Sequence, residues 1–94
     1  MTELTVADNP QRSRYELLDG GHLVGFTERR ERDDGVLVFP HTVITVPKRG
    51  AGYGSTLVRG ALDDVRAQGR RIVAECLFVE RFVAEHPEYA DLIA

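Results

Sequence analysis

The stretch RGAGYG at 49–54 alternates three glycines, Gly50, Gly52 and Gly54, with Ala51 and Tyr53, between a run rich in β-branched residues and a run with helical spacing. Glycines at a strand-to-helix junction let main-chain amides approach an anion closely. The unpaired N–H groups and dipole of the following helix favour negative charge there. Lys48 and Arg49 stand just before or at the start of the loop, and Ser55 and Thr56 can donate hydroxyls in the first helical turn. Together these elements suit a pyrophosphate. The same glycines would serve equally as a plain turn that lets the helix pack closely on the sheet. The spacing lacks the Gly-Lys-Ser/Thr ending of a Walker loop, and the chain is too short for a full dinucleotide fold, so neither ATP hydrolysis nor NAD binding is favoured.

Two further side chains can do chemistry. Cys76, the single cysteine, falls where a strand-like run meets the last helix-like run. A helix N-terminus lowers a thiol pKa, which suits a nucleophile, whereas a free cysteine is also a small hydrophobe often found inside. His41, with an unperturbed pKa of about 6.5, can accept a proton from an amine or thiol near neutrality. It can as well be a histidine satisfied by hydrogen bonds in a partly buried sheet. His22 and His86 lie near a turn and a helix end, and the three histidines have no second ligand at metal-binding spacing.

The chain that must position these groups has 94 residues, enough for one domain spanning 1–94 with a modest core. A composition 43% hydrophobic and 29% charged is that of a globular protein, and no apolar run approaches the length of a membrane span. The start, MTELTVADNPQ, lacks the basic head and long apolar stretch of a secretory signal, so a cytoplasmic location is expected. One cysteine excludes an internal disulfide and agrees with a reducing compartment. A net charge of -3, with arginines interleaved with acids as in RRERDD at 29–34, gives no overall attraction to nucleic acid.

From Glu3 to about Val46 the pattern is that of strands separated by turns: Leu4 to Ala7, Arg14 to Leu18, His22 to Arg30, and a long Val36 to Val46, with DNPQ, DGG and DDG between them. Pro40 cannot donate to a ladder and should mark a bulge or an unpaired edge. Leu57, Val58, Ala61, Leu62 and Val65 then recur at helical spacing, which predicts a helix from about Gly52 to Gln68 with Gly69 as its cap. RRIVAE returns to an extended run, and Phe78, Val79, Phe82 and Val83 give a second amphipathic helix that ends near His86, before Pro87. Tyr89 to Ile93 adds a turn. The order is ββββαβα, an α/β (α+β) mixed sheet with one layer of helices flanking it, whose last β-α-β unit requires parallel pairing.

In that setting the loop resembles the acyl-CoA pyrophosphate loop of the GNAT superfamily of N-acetyltransferases, Gln/Arg-x-x-Gly-x-Gly/Ala, here Arg49, Gly52 and Gly54. The similarity extends to a small single-domain subgroup with His-Thr on the preceding strand, here His41-Thr42, then a cysteine segment at Cys76 and a final HPEY at 86–89. It covers roughly residues 12 to 90. The resemblance implies that acetyl-CoA binds along the fourth strand, its pantetheine arm pairing with backbone near Thr45 and Val46 and its phosphates over Arg49 to Ser55. It implies transfer of acetyl to a primary amine (a protein lysine, a polyamine or a small amine), with His41 and Cys76 at the active site and no metal. Where the subgroup has Pro-x-Cys-Pro this chain has Ala74, Glu75, Cys76 and Leu77. Both prolines are missing, and Glu75 brings a carboxylate that would raise a thiol pKa or serve as the base for an amine. A CoA-binding module without turnover and a small interaction domain with purely structural glycines are the alternatives.

Overall fold

The computed structural model describes residues 3–45 and 52–94. Four antiparallel strands come first: β1 (Leu4–Asn9), β2 (Arg14–Asp19), β3 (His22–Glu31) and β4 (Leu37–Ile44). They are followed by α1 (Tyr53–Ala67), β5 (Ile72–Ala74), α2 (Leu77–Glu85) and a 3-10 helix (Pro87–Leu92). The expected ββββαβα order holds. The sheet order is β1-β2-β3-β4-β5, antiparallel except for β4 with β5, which is parallel.

In the β2–β3 turn glycine supplies the positive φ, at Gly20 (56°) and Gly21 (88°). The apolar stripe of α1, with Leu57, Val58, Ala61, Leu62 and Val65, is buried against one face of the sheet, where it meets Tyr15, Leu17, Leu37 and Phe39. From α2, Val79, Phe82 and Val83 join the same core. Phe78 does not. Helical periodicity groups it with those three, yet its side chain is 41% exposed.

Pro40 has the structural effect expected of it. Glu28 pairs with His41 and Arg30 with Val38, so β4 carries one residue more than β3 between those pairs, at Phe39 and Pro40. The β4–β5 ladder stops at the same place. Leu37, Val38 and Phe39 pair with Ile72, Val73 and Ala74, and the carbonyl of Phe39 then accepts from the amides of both Glu75 (3.1 Å) and Cys76 (2.9 Å) as the chain turns into α2. Beyond Phe39 the two strands diverge. The run at 29–34 is held by ion pairs: Arg29 to Asp8 at 2.8 Å and Arg70 to Glu31 at 2.8 Å.

Candidate functional site

The divergence of β4 and β5 leaves one side of β4 without a strand partner. Which main-chain groups face that side follows from the hydrogen-bonding alternation. Leu37 donates its N–H to Arg71 and Phe39 presents its carbonyl to the turn after β5, so before the extra residue the odd-numbered positions face β5. After it the alternation is reversed, because the Thr45 N–H donates to the Val24 carbonyl of β3 at 2.9 Å. Thr42 and Ile44 therefore direct their main-chain groups toward the side that β5 has left.

Facing that edge is the N-terminus of α1. Gly52 is its N-cap at φ 81°, a left-handed conformation that a side chain would strain. The first intrahelical amide is Thr56, which donates to the Gly52 carbonyl at 2.9 Å. The N–H groups of Tyr53, Gly54 and Ser55 thus have no intrahelical acceptor. Among the described residues no side chain caps the helix, and its first turn carries no acid. Between the uncovered strand and this open helix end lies a cleft of about 640 Å³, lined by Thr42, Val43 and Ile44 on one side and by Gly52, Tyr53, Gly54, Ser55 and Phe78 on the other. An extended amide-bearing arm fits the strand edge, and an anion fits the helix end.

The two glycines nearest the helix have distinct reasons to be glycine. At Gly52 it is the backbone angle. At Gly54 it is Phe78, whose Cζ would lie 2.3 Å from a Cβ at that position. Phe78 projects from the first turn of α2 and rests its ring on the first turn of α1, so it forms a wall of the cleft. The sequence groups Phe78 with the apolar residues of α2 and does not single out Phe78, Thr42 or Ile44 as residues of a cleft. An apolar residue two positions past the helix N-cap carries no local sign that its helix ends beside another.

Cys76 is the N-cap of α2 and is half-buried. Its Sγ donates to Oγ1 of Thr42 at 3.4 Å, and Thr42 shares a 2.9 Å hydrogen bond with Oγ1 of Thr27, a fully buried residue. This chain of three small polar groups joins β3, β4 and the start of α2 just past the point of divergence. Thr42 also lines the cleft, so Cys76 adjoins it through one side chain. His41 lies elsewhere. Successive side chains in a strand alternate between faces, and the His41 ring stands on the sheet face opposite α1, 6.5 Å from the ring of Phe26, itself covered by the guanidinium of Arg14 at 4.2 Å. The imidazole is exposed and has no hydrogen-bond partner among the described residues. The structure therefore does not bring His41 and Cys76 together. Glu75, exposed, lies 3.9 Å from Arg30.

Of the expected cofactor-binding positions, Gly52, Tyr53, Gly54 and Ser55 line the cleft. Thr45 has its N–H committed to β3. Val46, Lys48, Arg49, Gly50 and Ala51 lie outside the described residues. Among the described residues no three His, Cys, Asp or Glu side chains gather as a metal site, and no helix is long and apolar enough to cross a membrane. The hydroxyl of Tyr53 donates to Asp19 at 2.8 Å, and that bond, followed by partial burial, raises the phenol above its ordinary pKa.

Residues 14–92 match the family model described as GCN5-related N-acetyltransferase. The solution structure of a GCN5-like protein from Staphylococcus aureus superimposes with a TM-score of 0.74 at 19% identity, over 100% of this chain and 91% of that one, a likeness of fold. No curated protein matches the chain significantly.

Proposed function

We propose that this chain, which belongs to the GCN5-related N-acetyltransferase family, binds acetyl-CoA in the cleft between β4 and α1 and transfers its acetyl group to a primary amine. The observation that carries the reading is the convergence on one cleft of a helix N-terminus and a strand edge that, among the described residues, have no side-chain cap and no strand partner. CoA has both an anionic diphosphate and an extended arm of amides, and these two features answer one each.

Bound acetyl-CoA would supply an activated thioester. The residues present would then act by position. The amides of Tyr53, Gly54 and Ser55, with the Ser55 hydroxyl, hold the diphosphate, supported by Lys48, Arg49, Gly50 and Ala51 of the loop. The main-chain groups of Thr42 and Ile44 align the arm, a pairing expected from sequence nearer Thr45 and Val46. Phe78 closes one wall against water. Holding two reactants in register is the larger share of what such a transfer needs, and the remainder is an acceptor for the proton of the amine. His41, exposed on the sheet face away from α1, is offered as that acceptor, with the amine arriving from the same face. The acceptor amine is a protein lysine, a polyamine or a small molecule.

A second route is favoured by one observation. The Cys76 thiol contacts Thr42, a residue of the cleft wall; from there its thiolate would take the acetyl group by thioester exchange, releasing the CoA thiol, and the amine would then displace the Cys76 thiol to form the amide. A CoA-binding module without turnover is the remaining outcome. The test is a calorimetric titration with CoA, followed by a screen of amines for release of free thiol from acetyl-CoA. Binding that Gly52→Glu abolishes, with thiol release on at least one amine, is the expected result. No binding of CoA would remove the reading, and binding without release for every amine would leave the module.

A further inference from the structure

α1 is fastened to its surroundings by three tyrosine–aspartate hydrogen bonds. Two act past its midpoint: Tyr15 donates to Asp64 at 2.7 Å, and Tyr89 to Asp63 at 2.7 Å. The third, Tyr53 to Asp19 at 2.8 Å, stands alone at the first turn. Asp19 ends β2, paired with Leu4 of β1 and His22 of β3. Its Oδ1 is buried with no hydrogen-bond partner, so among the described residues the Tyr53 hydroxyl is the one polar partner of that carboxylate. A buried acceptor left half-satisfied is costly and needs a reason.

The first turn of α1 supplies one. It follows a left-handed glycine, contains Gly54, has no side-chain cap among the described residues, and its residues line the cleft. Such a turn frays unless it is pinned from outside. We infer that Asp19 and Tyr53 are a positioning pair: Asp19, without touching the ligand, holds Tyr53 and so aims the amides of Tyr53, Gly54 and Ser55 at the diphosphate of CoA. This rests on the CoA-binding reading above. A phenol–carboxylate bond suits the task because its length and direction are fixed by a rigid ring on one side and a strand end on the other, while the buried ring (8% exposed) keeps water from competing.

Calorimetric titration of the full chain with CoA, well below its unfolding temperature, tests the pair. Tyr53→Phe and Asp19→Ala are expected to weaken CoA binding about fivefold, the effect of one lost hydrogen bond. Asp19→Asn keeps a carbonyl acceptor for the phenol and is expected to stay within about twofold of the parent protein. Amide hydrogen exchange should quicken at Thr56, the first amide bonded within the helix, in Tyr53→Phe and stay unchanged in the second half of α1. Unaltered affinity in both Tyr53→Phe and Asp19→Ala overturns the pair, as does an Asp19→Asn protein as weak as Asp19→Ala. Should the parent protein itself fail to bind CoA, the titration identifies the failure as that of the site, and the inference falls with it.

Discussion

Phe78 rests on Gly54 so closely that a single added methyl group would have to displace its ring. The ring is the far end of a side chain 41% exposed, so it can move, and the two positions are energetically coupled. Gly54→Ala should cost about 1 kcal/mol through overpacking. In a Phe78→Ala background the same substitution should cost almost nothing. A double-mutant cycle by urea denaturation measures the coupling, and strictly additive effects would contradict the contact.

For catalysis the discriminating pair is His41 and Cys76, which lie on opposite faces of the sheet. Direct transfer with His41 as proton acceptor predicts that His41→Ala lowers turnover by about two orders of magnitude while CoA affinity is retained. Cys76→Ala should then keep most of the activity. The reverse pattern, with activity lost in Cys76→Ala alone, would establish the acetyl-cysteine route. Free-thiol release from acetyl-CoA with an accepted amine reads both.

The polar chain from Thr27 through Thr42 to Cys76 predicts a modest stability effect. Thr27→Val preserves shape and removes one hydroxyl from a fully buried site, leaving Thr42 with the Cys76 thiol as its donor. The loss should be about 1 kcal/mol. Unfolding free energies from urea titration would show it, and a stabilised variant would mean that the hydroxyl pair contributes nothing net.

Alkaline pH should reveal the three phenols. Tyr15 and Tyr89 are raised above their ordinary pKa first by burial and then by bonds to Asp64 and Asp63, and Tyr53 is raised first by its bond to Asp19. Above about pH 10 the unfolded chain releases phenolic protons that the folded chain keeps, so it binds fewer protons and stability falls. The contribution is therefore complete below about pH 10 and is lost as pH rises toward the higher folded values. Tyr15→Phe should flatten this decline in denaturation midpoints taken from pH about 8 to 11; an unchanged slope would argue against the shift.

Much of this architecture is legible in the sequence because its signals are local. Period-two runs broken by DGG and DDG mark the hairpins, the spacing of Leu57, Val58, Ala61, Leu62 and Val65 marks the buried stripe of α1, and a missing N–H at Pro40 marks the irregular strand. What escapes is set by distance along the chain. Tyr53 and Asp19 are 34 residues apart, and Tyr15 and Asp64 are 49 apart, with no pattern that announces either bond. Gly54 shows how one position can answer to two demands. The loop pattern selects it as an anion-binding glycine, and the fold adds that Phe78 occupies the space of its side chain. The place of Phe78 is not legible because helical period reports which residues share a face, and where that face ends is decided by the neighbouring helix.

The extra residue at Phe39 and Pro40 acts as a frameshift in space. Were the same sequence paired straight through without the bulge, every later residue of β4 would turn to the other side of the sheet, so that the imidazole of His41 would press into the place where Thr42 now meets Thr27 and Cys76, and the threonine would turn out to solvent. The same straight pairing would exchange the amides offered to the cleft for those now spent on β3. Deleting the extra residue outright would do none of this, since His41 would still stand opposite Glu28 and Thr42 opposite Thr27; both walls depend on the strand absorbing that residue here as a bulge.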